Sequence, residues 1–309
     1  MNVLLHLITY ASLIVFVAAV AYRFRKIQSF PLHLRWELYP VPHEGKRAKY
    51  GGSILEEVDW WTKERHSSLV TELKFMLPEM IFIKALWEHN RKLWYRSFPF
   101  HFGLYLVAGF AALLFLGAVL ELAGVPVGEG AVGFGLFLDR LTTVVGLIGL
   151  VLCIVGALGL IHMRLTDADL RPYTNFSHFF NLGFVAAALA LVLAVWFVDR
   201  DFSTLRGYVS SLLTLDLSFS TGSAVATLAI LLTSLMVAYI PLTHMSHFFV
   251  KWFTWHKIRW DDEPNVRGGR FEVMIQEALQ RPVTWAADHI RADGKKTWAD
   301  IAVEEIEKK

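Results

Sequence analysis

LTTVVGLIGLVLCIVGALGLI, Leu141–Ile161, decides the fold. It runs for 21 residues without an Asp, Glu, Lys or Arg. As an α-helix it would be about 31 Å long, the depth of a bilayer's hydrocarbon core. In lipid a lone segment satisfies its backbone only as a helix. Asp139-Arg140 stand just before the run, and His162 and Arg164 just after it. Working outward, four more runs have the same character: Val3–Tyr22, Phe100–Leu122, Phe179–Val198 and Ser223–Val250. None has an acidic or basic residue in its middle, which argues against an ion pump or charge-coupled transporter. The first run lacks a basic stretch before it and a small-residue cleavage site after it, so it reads as a retained helix.

Composition agrees. The 309 residues are 55% hydrophobic and 19% charged, a balance suited to a polytopic membrane protein. The net charge of +2 gives no pull toward nucleic acid. The single cysteine, Cys153, excludes an internal disulfide and a thiolate-bound iron–sulfur cluster.

Charge sets the expected topology. Of 30 Lys and Arg, all but Arg140, Arg200 and Arg206 fall in Arg23–Arg96, His162–Phe176 and Lys251–Lys309. By the positive-inside rule those segments face the cytoplasm. The expected fold is an all-α integral membrane protein: a five-transmembrane-helix bundle with the N-terminus outside, a helical cytoplasmic loop and a cytoplasmic C-terminal tail. Residues 1–256 would form the membrane domain, with 24–98 as a cytoplasmic insertion, and 257–309 a partner-docking tail. Within the insertion, Ile54–Leu77 and Glu79–Trp94 read as two helices on the membrane surface or against a partner. Pro99 suits the first turn of the second span. Pro241 predicts a kink in the fifth. Asp199–Gly222 reads as an outer loop. In the tail, Phe271–Gln280 reads as a helix stopped by Pro282, and Thr297 with Asp300 as the start of another.

The histidines carry the chemistry. With this topology His101, His162, His178, His244 and His247 all fall at the cytoplasmic rim, from four different spans. A b-type heme with two imidazole ligands needs histidines from separate helices at one depth. His101 and His247 are the main expected axial ligands. His244 is a candidate ligand or propionate contact. His6 and Tyr10, at the outer side, or a spare rim histidine, are candidates to exchange protons with a quinone. A non-heme metal held by His244-x-x-His247 is the competing chemistry, and it lacks carboxylate partners inside the spans.

Pro241–His247 closing the fifth run and Phe98–Gly103 opening the second resemble the cytochrome b (gamma) subunit of respiratory nitrate reductase. Trp36–Pro40, Tyr50–Ser53 with Trp60-Trp61, and Gly294–Asp300 are more similar still to two other groups. These are the cytochrome b subunits of the Dsr, Tmc and Hme complexes of sulfate reducers and the heterodisulfide reductase membrane subunit. The resemblance implies the membrane subunit of a menaquinol/quinone oxidoreductase, not catalytic alone, in the cell membrane of an organism with anaerobic respiration such as sulfate reduction. It implies one or two b hemes, a quinone of the menaquinone type, an iron–sulfur partner of the heterodisulfide-reductase type on the cytoplasmic side, and a multiheme cytochrome c. One departure stands out. Where the nitrate reductase family has its outer heme ligands, this chain has Ala111 and Ala229. A second heme would then need His162 and His178. The rival reading is a heme-free membrane anchor for soluble redox subunits.

Overall fold

The computed structural model describes residues 2–30, 57–59, 62–63, 68–255, 266–287 and 290–304. The motifs at 36–40, 50–53 and 60–61 lie outside these, as does the 256/257 boundary. The chain divides into two compact units: Met1–Val20 with Met76–Met245, and Ala21–Phe75 with Ser246–Lys309.

Eleven α-helices are described: α1 Asn2–Gln28, α2 Leu69–Phe82, α3 Lys84–His89, α4 Arg91–Leu122, α5 Phe134–Thr166, α6 Phe176–Val198, α7 Ser203–Thr214, α8 Ala224–Tyr239, α9 His247–Phe253, α10 Arg270–Leu279 and α11 Trp298–Ala302. Among the described residues no strand occurs, only isolated bridges at Pro282–Thr297 and Ala287–Ile290. Five helices are long and apolar enough to cross a membrane: α1, α4, α5, α6, and α8 continued to Leu242. They fit a multi-pass membrane protein.

In the first unit, α4 and α5 form the tightest seam. A Cβ added at Gly156 would overlap the Phe100 backbone, one at Gly149 would reach Leu106 and Val107, and one at Gly146 would strike the Phe110 ring. Gly103 meets the backbone of Cys153 in the same way. Partners fall from 156 to 146 as α4 rises from 100 to 110, so the helices run antiparallel. Membrane helices gain no hydrophobic drive between themselves, and small residues that permit close approach supply dispersion contact instead. Gly156→Ala should therefore cost about 1–3 kcal/mol through overpacking. Gly183→Ala on α6, with nothing within 4 Å of the added methyl, should be tolerated. Denaturation in mixed micelles compares the two.

Four expectations change. The fifth span does not run to Val250 with a kink. It stops at Tyr239, followed by 3-10 turns Ile240–Leu242 and His244–Ser246, before α9 begins at His247. Pro241 has no N–H for the Val237 carbonyl, and Thr243 is extended (φ −114°, ψ −176°). The Thr243 hydroxyl accepts from the Met245 N–H at 3.1 Å, holding the chain out of the helix. His244 and His247 thus stand on different short elements and not on one helical face.

Second, α4 begins at Arg91, so Pro99 lies inside it and His101 is its eleventh residue. Asn90 sets that start, its Oδ1 accepting from the Leu93 N–H at 3.0 Å. Third, Glu79–Trp94 is not one helix. Ile83 at φ 51° breaks it, and Asn90 breaks it again. Fourth, Asp199–Gly222 is not only a loop, since it contains α7.

The tail reads as expected where described. Helix α10 ends at Leu279, just before Pro282. At α11 the Thr297 hydroxyl accepts from the Asp300 N–H (3.2 Å), and Asp300 Oδ2 accepts from the Thr297 N–H (2.8 Å). The Trp285 and Trp298 rings pack edge-on, with centroids 6.1 Å apart.

Candidate functional site

Four of the five candidate histidines gather at one end of the first unit. Lys92 Nζ, near the start of α4, lies 2.7 Å from Asp167 Oδ2, just past the end of α5. The same short connection leads into α6, where the His178 ring is 5.6 Å from that of His244. His101 and His162 sit on α4 and α5 toward this end. His247 opens α9 in the second unit and is exposed.

Hydrogen bonds fix the tautomers of three of these rings. His101 Nδ1 lies 2.8 Å from the Ser97 carbonyl, which can only accept, so Nδ1 carries the proton. In the neutral ring the lone pair is then on Nε2, and the ring is oriented by a backbone carbonyl. Metal-bound histidines are held in that way. His178 is the reverse case. Its Nδ1 accepts from the Asn175 N–H at 3.1 Å and caps α6. To bind iron it would have to give up the cap or its remaining proton. His244 Nδ1 accepts from the Asn181 amide at 3.4 Å, and Asn181 Oδ1 accepts from the Tyr239 hydroxyl at 2.7 Å. His162 is exposed on α5. Of the tautomers so fixed, only that of His101 presents Nε2 as a donor, so the residues fit an axial imidazole there. Among the described residues no three His, Cys, Asp or Glu side chains gather as a metal site.

The opposite end holds what the sequence did not show. A cavity of about 270 Å³ lies among α1, α4, α5, α6, α7 and α8. Its walls are apolar apart from Ser12, Thr233 and one side where Thr9, Tyr208 and Ser234 come together. Thr9 Oγ1 is 2.7 Å from the Tyr208 hydroxyl, 3.0 Å from that of Ser234, and 3.0 Å from the Leu5 carbonyl. Ala111 and Ala229 also line the cavity. Burial pushes the Tyr208 phenol above its ordinary pKa, opposed by the Thr9 hydrogen bond, so the hydroxyl keeps its proton.

His6 stands beside Tyr208, fully buried, with ring centroids 4.8 Å apart. Its Nδ1 donates to the Asn2 carbonyl at 2.8 Å, and its Nε2 is 2.8 Å from Ser211 Oγ. That hydroxyl is also 2.7 Å from the Tyr208 carbonyl. Ser211 has one proton to give. With His6 neutral, it goes to Nε2. With His6 protonated, Nε2–H donates to Ser211, which turns to the carbonyl. Both states satisfy every ring nitrogen without moving a heavy atom. The sequence placed His6 and Tyr10 as a pair, whereas Tyr10 instead donates to the Leu212 carbonyl at 2.7 Å.

Arg206 of α7, only 3% exposed, closes the same end. Its Nε donates to Glu121 Oε1 (2.8 Å) and its Nη2 to the Val127 carbonyl (2.9 Å), and its Nη1 lies 3.5 Å from Asp139 Oδ1. Gly117 leaves room for it, since a Cβ there would come within 2.8 Å of the Arg206 Cδ. Sequence reading missed Arg206, Tyr208, Thr9 and Ser234. The signal was present in α7, a polar–apolar helix between two spans, but its partners come from four distant segments. No family model, curated protein or solved structure matches this chain.

Proposed function

We propose that this chain is the quinone-reactive, b-type cytochrome subunit of a membrane oxidoreductase, in which His101 and His247 are the residues that would hold the heme. The observation that supports the reading is the His101 imidazole, on a long apolar helix, with its Nδ1 proton held by the Ser97 carbonyl. A bound heme supplies one-electron transfer, and the protein tunes its potential by axial ligation and burial. Ser97 holds the ring plane. The α4–α5 seam holds the helix that carries it. His6, at the far end, takes or gives a proton at Nε2 through Ser211.

His178 and His244 serve this site as support. One caps α6, and the other is tied through Asn181 to Tyr239. The reading needs one heme, and a second on His162 and His178 would have to compete with the cap that His178 gives α6. The chain sits in the cell membrane with its N-terminus outside, and the basic segments and tail meet an iron–sulfur partner in the cytoplasm. Electrons pass between a quinone of the menaquinone class and that partner, or a multiheme cytochrome c. The heme-free anchor is the alternative, and heme content of the purified protein separates the two.

A further inference from the structure

We propose that the cavity between α1 and the α4–α8 end of the first unit binds the ring of a membrane quinone, held at one edge by the hydroxyls of Thr9, Tyr208 and Ser234. The inference rests on the quinone-reactive reading and locates its substrate site, which nothing in the sequence placed.

Size comes first. An apolar cavity of about 150 Å³ takes up benzene. This one, at about 270 Å³, has room for a fused two-ring system. Access comes second. Leu13 of α1 and Ala111 of α4 both line the cavity and are both exposed, so it opens on the face these spans turn to lipid. An isoprenoid tail can leave there.

Chemistry comes third, and it separates a quinone from a lipid tail. A purely apolar guest needs no polar wall, yet three hydroxyls meet at one side. Their protons can be arranged in two ways. Thr9 donates to the Leu5 carbonyl while Tyr208 and Ser234 donate to Thr9. Alternatively, Thr9 donates to Tyr208, whose proton turns into the cavity. The first arrangement offers lone pairs of Tyr208 to a quinol O–H. The second offers an O–H to a quinone carbonyl. Rotating the hydroxyls serves both redox forms, with the Leu5 carbonyl keeping its helical hydrogen bond.

The experiment is equilibrium binding of menadione, a short naphthoquinone, to the full-length protein in detergent, with decane as an apolar competitor. The wild type should bind one menadione per chain saturably. Ala111→Phe, at an exposed position that tolerates bulk, should weaken binding at least tenfold. Tyr208→Phe should weaken it about tenfold, one hydrogen bond's worth, without changing decane uptake. Equal loss of menadione and decane in Tyr208→Phe would overturn the polar-edge assignment. Menadione binding that Ala111→Phe leaves intact would overturn the site. Heme content is read on every sample. Protein without heme that still binds menadione in this pattern refutes the cytochrome reading and leaves the cavity assignment standing.

Discussion

Alanine at position 101 should strip the protein of its b-type absorption. The expected loss is nearly complete, because an axial imidazole is a principal bond holding the iron in place. The lone pair on Nε2 is fixed by the 2.8 Å contact from Nδ1 to the Ser97 carbonyl. His247→Ala should have the same effect, since the two imidazoles would together hold the heme in the protein. His178→Ala should behave differently. It removes a cap from α6, costing about 1 kcal/mol, and leaves the dithionite-reduced bands in place. Reduced spectra of the three purified variants check this. Full bands in His101→Ala would show that the ring serves only to bridge to Ser97.

That contrast shows what could be read from the sequence. The apolar runs placed the five long apolar helices, because that signal depends on composition over about 20 residues and needs no partner. The histidines could be seen as a set for the same reason. Their roles could not. Nothing at Asn175 or Asn181 announces that it will engage His178 or His244, because those bonds depend on where α6 starts and where α8 breaks. Helix ends were the weakest readings. Asn90 outweighed Pro99 in setting the start of α4, and Pro241 with Thr243 stopped the last span where an unbroken helix was expected. The hydroxyl wall was invisible, because Thr9, Tyr208 and Ser234 lie some 200 residues apart in sequence at the extremes.

Arg206→Ala should be the most destabilising single change outside the α4–α5 seam. The guanidinium sits among Glu121, Asp139 and Asp201, with side-chain exposures of 31%, 1% and 20% against its own 4%. Removing it leaves buried Asp139 with only the exposed Arg140 to offset its charge, and Asp139 Oδ2 already has no hydrogen-bond partner among the described residues. Breaking a buried ion pair in this way costs about 3–5 kcal/mol. The loss should fall on the attachment of α7 to the ends of α4 and α5. Arg206→Lys should recover little, because an ammonium cannot reach Glu121 and the Val127 carbonyl as a fork. Arg206→Met combined with Glu121→Gln, Asp139→Asn and Asp201→Asn should recover much of it, since none of its three carboxylate partners is then left unpaired. Denaturation midpoints in mixed micelles rank the four proteins. Equal midpoints for wild type and Arg206→Ala would show that water or lipid headgroups already neutralise the cluster.

The central claim is that histidines from separate elements of this chain hold one b-type heme. The most direct measurement is a pyridine hemochrome assay of the purified polypeptide against its protein concentration. The account predicts one heme b per chain. A colourless protein, folded and able to bind its partners, would contradict it and leave a membrane anchor in its place.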